Sequence, residues 1–221
     1  MIHYYLLVAA LLFAPGLAQE KNPPPESTPV QNESLVSVPM FPNPSCPIMG
    51  KPVSTRLFTD TELGRIYICC KSCVKDIQAD VPTAYRTAYP TDKRIENKIS
   101  PVSGKEITKE SPTVVLQGFE FFVLNEDELV QARERAQIVL AKLHDPKLID
   151  LENQTCPVSG EPIAKNTIVV IEGTIIRLSS AKLMAEIEKD PAGVLQKARE
   201  IRAAELKARE SAEPPADEKQ S

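Results

Sequence analysis

The octapeptide C-P-I-M-G-K-P-V at 46–53 returns as S-P-V-S-G-K-E-I at 100–107 and as C-P-V-S-G-E-P-I at 156–163. The three starts lie 54 and then 56 residues apart, a period that fits one small supersecondary unit per copy. The register persists beyond the octapeptide: Gly50 to Gly64 and Gly104 to Gly118 each span 14 residues, and Gly160 to Gly173 spans 13. A chain patterned in this way is not built around one large core. Composition agrees, since 42% of the 221 residues are hydrophobic but only 5% are aromatic and none is Trp. Several small cores of Ile, Val, Leu and Ala suit that supply.

Each copy carries the same local signals. After its second glycine comes a short strand, Ile66-Tyr67-Ile68, Phe119 to Val123, or Thr174 to Leu178. Pro112 to Leu116 and Ile168 to Ile171 precede the glycine as further strands, so the glycine marks a hairpin turn. A helix follows. In the second copy Asn125 is its N-cap with Glu128 three places on, and Leu129, Ala132, Ala136, Val139, Leu140 and Leu143 continue an apolar face. In the third, Ser179 or Ser180 caps and Leu183, Met184 and Ile187 turn inward. After Pro191, which suits a first helical turn, residues 192–210 form a last helix of alternating charge that includes the i,i+4 pair Glu205 and Arg209. That helix covers the third copy and is otherwise a solvated face. The fold class expected is α+β: three tandem units of knuckle, β-hairpin and helix, at 45–90, 99–145 and 155–210.

The flanks differ in kind. Residues 4–14 form an apolar run of eleven, followed by Gly16 and Ala18 at the minus-three and minus-one places of a cleavage site. This reads as a secretory signal peptide, residues 1–18, cut after Ala18. Only His3 and the amino terminus precede the run, so an uncleaved anchor competes, although even residues 4–18 are short for a bilayer span. The mature chain is expected to be periplasmic or secreted, with no membrane span after cleavage. Residues 19–44, rich in Pro, Ser, Asn and Glu, read as a linker, and residues 211–221 as a disordered tail. The net charge of −4 leaves no basic footprint for nucleic acid.

Chemistry concentrates in the first copy, where Cys46, Cys69, Cys70 and Cys73 are four of the five cysteines. The spacing Cys-x22-Cys-x3-Cys puts one thiolate on a turn and two at a strand-to-helix junction, where they can converge. A helix N-terminus carries partial positive charge and is expected to lower thiol pKa values there. Residues 71–80 place Val74, Ile77 and, less strongly, Cys73 on one helical face. Aligned on the glycines, Cys69 corresponds to Val123 and Leu178, Cys70 to Leu124 and Ser179, and Cys73 to Asp127 and Lys182. Only Cys156 has a counterpart thiol, so the later copies are expected to be held by packing and to serve as supports or partner surfaces.

Cys46, Cys69 and Cys73, with the C-P-I-M-G knuckle and the run Gly-x-x-Tyr-x-Cys-Cys-x-x-Cys, resemble the TRASH and YHS group of small treble-clef-like metal-binding domains. That group recurs in heavy-metal trafficking, sensing and resistance proteins. The resemblance covers residues 45–90 well and residues 99–145 and 155–200 as degenerate copies. It implies Cys46, Cys69 and Cys73 as metal ligands, with Cys70 extra and able to replace Cys69.

Thiolates select soft or borderline ions, so one metal ion, copper(I) or zinc, is expected. Zinc prefers four ligands and would take Cys70 or a water; Cu(I) tolerates three. Met49 could add a thioether, although methionine at such a place is more often a packing residue. His144, the only histidine after the leader, reads as a helix-end residue facing the last carbonyls.

Two readings compete with the metal. An exported unit can use its cysteines as a disulfide staple, and five cysteines leave one over. Cys70-x-x-Cys73 has redox-motif spacing, but the surrounding pattern is too short for a βαβ unit, and one histidine cannot supply hydrolytic triads. The chain is therefore expected to be a binding protein and not an enzyme, with the metal ion as ligand. A protein partner would use the degenerate repeats or the last helix.

Overall fold

Three two-residue hairpins organise the part of the chain described by the computed structural model, residues 35–212. The expected signal peptide, linker residues 19–34 and tail residues 213–221 lie outside the described residues. The chain begins with β1 (Val36–Ser37), then the antiparallel pair β2 (Ser54–Thr61) and β3 (Gly64–Ile68), then α1 (Cys73–Ala79) and α2 (Val81–Ala88). Next come β4 (Lys93–Arg94), the hairpin of β5 (Thr113–Leu116) and β6 (Phe119–Phe122), α3 (Glu126–Glu134) and α4 (Ala136–His144). The last stretch holds β7 (Ile149–Asp150), the hairpin of β8 (Ile168–Ile171) and β9 (Thr174–Arg177), a 3-10 turn at Ala181–Leu183, α5 (Met184–Ile187) and α6 (Pro191–Ala212). The fold class is α+β. No helix among the described residues is long and apolar enough to cross a membrane.

Turn chemistry explains two of the hairpins. Gln117-Gly118 and Glu172-Gly173 have φ of 47° and 77°, and of 47° and 73°, the doubly positive pattern of a type I′ turn whose twist matches the flanking strands. The first hairpin departs from the glycine rule. Its loop is Glu62-Leu63, and Gly64 is already the first residue of β3, paired with Thr61. There Gly64 has φ of 135°, and a Cβ would sit 3.3 Å from the Gln117 side chain and 3.4 Å from the Tyr85 ring. A one-residue offset between the first copy and the others follows.

Corresponding positions are fixed by a side chain the sequence pattern did not single out. Asn43, Asn97 and Asn153 each stand three residues before the first residue of a knuckle. Their Oδ1 atoms accept the N–H of Tyr67 at 2.7 Å, Phe122 at 2.9 Å and Arg177 at 3.0 Å. Their Nδ2 groups donate to the carbonyls of those same residues at 3.1, 2.8 and 2.8 Å. Each Nδ2 also donates to the carbonyl two residues on, at Ser45, Ile99 or Thr155. Every amide thus pairs with its strand as another strand would, and locks knuckle to hairpin. The knuckles themselves are closed identically: Gly50, Gly104 and Gly160 donate to the carbonyls of Cys46, Ser100 and Cys156 at 2.8, 2.8 and 2.9 Å.

Two successive α-helices follow each hairpin, as expected in the third copy, whereas one was expected in each of the first two. The helix foreseen from Asn125 onward is broken at Arg135, whose φ of −115° and ψ of 36° lie off the helical values. Asp80 and Asp190 occupy the matching breaks and cap the next helix, accepting from Thr83 N at 3.1 Å and Gly193 N at 2.9 Å. Pro82 and Pro191 then sit in a first turn, where a missing N–H costs nothing.

Each hairpin buries one face against its own helices. Ile66, Ile68, Ile77, Ala84 and Ala88 pack with Cys46 and Cys73; Val114, Leu116, Phe121 and Val123 pack with Ala132, Ala136, Val139, Leu140 and Leu143. Val169, Ile171, Ile176 and Leu178 pack with Ile187 and with Leu195 and Ala198 of α6. The other face of β8 and β9, with Ile168, Val170 and Ile175, is covered by Ile138 and Ala141 of α4. Burial on both faces is why Ile168 to Ile171 reads as an unbroken apolar run. Glu205, expected to pair with Arg209, instead turns to the third knuckle, accepting from the backbone N–H groups of Gln154 and Thr155 at 3.0 Å.

Residues 35–44 do not behave as a free linker. β1 adds to the edge of β8, with Val36 opposite Ile171, and Phe41 lies against the His144 ring at 4.8 Å between centroids. Val36, Val38 and Phe41, scattered among prolines, are too few to show a period yet enough to be partly buried. His144 itself contacts the Leu140 carbonyl through Nδ1 at 2.9 Å, the helix-end role its place predicts.

Candidate metal centre

Three elements deliver the four sulfurs of the first copy. Cys46 opens the knuckle, Cys69 and Cys70 follow β3, and Cys73 begins α1. The Asn43 latch holds the knuckle against Tyr67, two residues before Cys69, and so sets the distance between the first sulfur and the rest. A backbone turn from Cys73 N to Cys70 O, 3.3 Å, folds the other three cysteines together.

Cys46, Cys69 and Cys73 place their sulfurs within 4.8 Å of one another and could hold a metal ion. The Cys46–Cys73 separation is 3.7 Å and the Cys69–Cys73 separation 3.9 Å. Thiolates at ~2.3 Å from a tetrahedral zinc stand ~3.8 Å apart, so the two measured edges match a filled coordination shell. Cys46 and Cys73 are each 1% exposed, while Cys69 is half-buried. Cys70 stands 3.4 Å from Cys73 and 3.9 Å from Cys69, on the outer side of the group, and its sulfur also meets Ser72 Oγ at 3.0 Å.

Electrostatics divide the four. Burial pushes the Cys46 thiol up, but backbone N–H groups of Cys69, Met49 and Ile48 outweigh it and bring the pKa down to about 7. Hydrogen bonds from Ser72 and Cys73 bring Cys70 to about 7 as well. Cys73 goes the other way: burial, then the hydrogen bonds it shares with Cys70 and Cys46, push it up to about 12. Cys69 is also raised, by burial and its neighbouring sulfurs. The helix start therefore does not lower the thiol that sits on it, contrary to expectation. The lowering falls on Cys46, whose sulfur faces the knuckle's own N–H groups, and on Cys70 beside Ser72. A cation displacing the remaining protons would supply the charge that this crowded set lacks.

Met49 is 52% exposed, so it is not the packing residue anticipated, and its contribution to the site is a backbone N–H.

The Asn latches correct the alignment of the copies by one residue. With Tyr67, Phe122 and Arg177 equivalent, Cys69 corresponds to Leu124 and Ser179, Cys70 to Asn125 and Ser180, and Cys73 to Glu128 and Leu183. In the second copy the partners of the thiol pair are Ser100 and Glu128, whose side chains hydrogen-bond to each other. In the third, Leu183 packs against the apolar core that includes the buried Cys156. Cys156 sits in the same cradle as Cys46, with its thiol pushed up by burial but lowered on balance by hydrogen bonds from Ser159 and Ser179. Neither a family model, nor a curated protein, nor a solved structure matches the chain.

Proposed function

We propose that this chain is an exported soft-metal-binding protein, active in metal trafficking, sensing or resistance. It is built as three treble-clef-like units, of which the first holds one copper(I) or zinc ion through Cys46, Cys69 and Cys73. The observation that carries the reading is the sulfur triangle, with edges of 3.7 and 3.9 Å around a space fitting a single ion. Soft thiolates without a histidine among them favour Cu(I) or Zn(II) over harder cations.

Handling, as opposed to mere structural support, is favoured by the two later units. They keep the knuckle, the latch and the hairpin with no comparable thiolate set, using a Ser100–Glu128 hydrogen bond in one and an apolar core around Cys156, with Leu183 against it, in the other. A metal is thus not what this backbone needs in order to fold. The second and third units, with α6, form the body that presents the site to a protein partner.

Metal content and free-thiol count of chain purified without oxygen test the reading. One ion per chain, lost in Cys46→Ser and in Cys73→Ser, supports it. No ion, together with a disulfide from Cys46 to Cys69, Cys70 or Cys73, would instead support the staple, which for Cys46 and Cys73 requires the sulfurs to close from 3.7 Å to about 2.05 Å.

A further inference from the structure

The four sulfurs form two triangles that share an edge. The inner one joins Cys46, Cys69 and Cys73. The outer one joins Cys69, Cys70 and Cys73, with edges of 3.9, 3.4 and 3.9 Å. Two of its edges are close to the ~4.0 Å that separates sulfurs ~2.3 Å from a trigonal ion, and the Cys70–Cys73 edge is shorter. Their surroundings differ: Cys46 is 1% exposed at the floor, whereas Cys70 is only half-buried and its Ser72 partner is exposed. Cys73 touches all three other sulfurs, at 3.7, 3.9 and 3.4 Å, and so can remain bound whichever triangle is filled.

We infer that Cys69, Cys70 and Cys73 form a second, solvent-side metal position through which the ion enters and leaves the buried one. This rests on the metal-binding reading of the first unit. Passage between the two positions changes one ligand only. The Cys46 sulfur forms its bond to the ion as the Cys70 sulfur gives up its own, and the proton that leaves Cys46 is taken by Cys70. Ligand number and charge are the same before and after, and nothing is oxidised or reduced. Cys69 and Cys73 hold the ion throughout, so it is never released to water. A three-thiolate structural site would gain nothing from the additional thiol at position 70, since Cys70 is outside the buried triangle of Cys46, Cys69 and Cys73. A site that must exchange its ion with a soluble carrier needs a ligand of this kind facing outward.

The test uses the full chain, reduced and kept free of oxygen. Cu(I) is presented as its bicinchoninate complex, or Zn(II) as its 4-(2-pyridylazo)resorcinol complex, with loading followed by loss of the chromophore and release by addition of excess chelator. Cys70→Ser and Cys70→Ala are expected to slow both loading and release about tenfold, a barrier raised by about 1.4 kcal/mol, while weakening binding far less than Cys46→Ser does. Cys46→Ser keeps the outer triangle and is expected to take up the ion in this assay, but to bind it weakly and release it fast enough to lose it on purification. Wild-type loading rates in both Cys70 variants overturn the relay, as does a loss of affinity in them equal to that in Cys46→Ser. In either case the site itself stands. Failure of the unaltered reduced chain to take up either ion overturns the metal-binding reading and the relay with it.

Discussion

Ser100 and Glu128 meet where Cys46 and Cys73 meet in the first copy: the serine Oγ donates to Glu128 Oε2, which also accepts the Leu124 N–H at 2.9 Å. Burial pushes this carboxyl up, but hydrogen bonds from Ser100, Ser103 and the Leu124 N–H, with the Lys105 charge, hold it below its ordinary value. A carboxyl lowered on folding stabilises the native chain above its unfolded pKa of about 4.3, and that contribution is lost as pH falls through the folded value. Glu128→Gln is therefore expected to destabilise the chain by about 1–3 kcal/mol at neutral pH and to flatten the acid limb of its stability profile. Urea midpoints measured from pH 7 down to pH 3 check this, and an unchanged acid limb would show that Glu128 does not carry it.

Replacing a latch asparagine leaves two buried strand groups without partners, at a cost of about 1–3 kcal/mol for each one. Asn43→Ala and Asn153→Ala should both lower the melting temperature. Only the first loosens the knuckle that carries Cys46 from the strand that leads to Cys69, so only Asn43→Ala should also weaken metal binding. Equal metal affinity in the two variants would mean that the latch does not position the sulfurs.

The corrected correspondence between copies makes a constructive prediction. Cys156 already sits in the Cys46 cradle, and Ser179 and Leu183 occupy the places of Cys69 and Cys73. Ser179→Cys combined with Leu183→Cys should raise metal content from one ion to two per chain. The glycine-based correspondence would instead place the third ligand at Lys182, so the control Leu178→Cys with Lys182→Cys should leave it at one.

Much of this was legible in the sequence because it is written in periods. The knuckle repeat, the short apolar runs before Gly118 and Gly173, and the apolar face from Ala132 to Leu143 are patterns of spacing, and they become hairpins and buried helix faces. What escaped is written in single residues. Asn43, Asn97 and Asn153 look like ordinary loop asparagines until the strand they pair with is known. The offset at Gly64 was hidden because a glycine can serve either as a turn residue or as a strand residue that leaves room for Tyr85. Counting from it misplaced Cys73 by one, onto Asp127 and Lys182. The breaks at Asp80, Arg135 and Asp190 share a position, but an arginine stands in the second where the other two have an aspartate, so no signal common to all three announced them. Residues 35–44 take their order from the edge of β8, which lies more than a hundred residues away in the chain.

The most direct test is X-ray absorption at the metal edge of the chain purified under reducing, oxygen-free conditions, together with its metal content. The account predicts one copper or zinc ion per chain with at least three sulfur neighbours, and loss of that signal in Cys73→Ser. Fully reduced thiols with no bound ion, or an ion surrounded by oxygen and nitrogen alone, would contradict it.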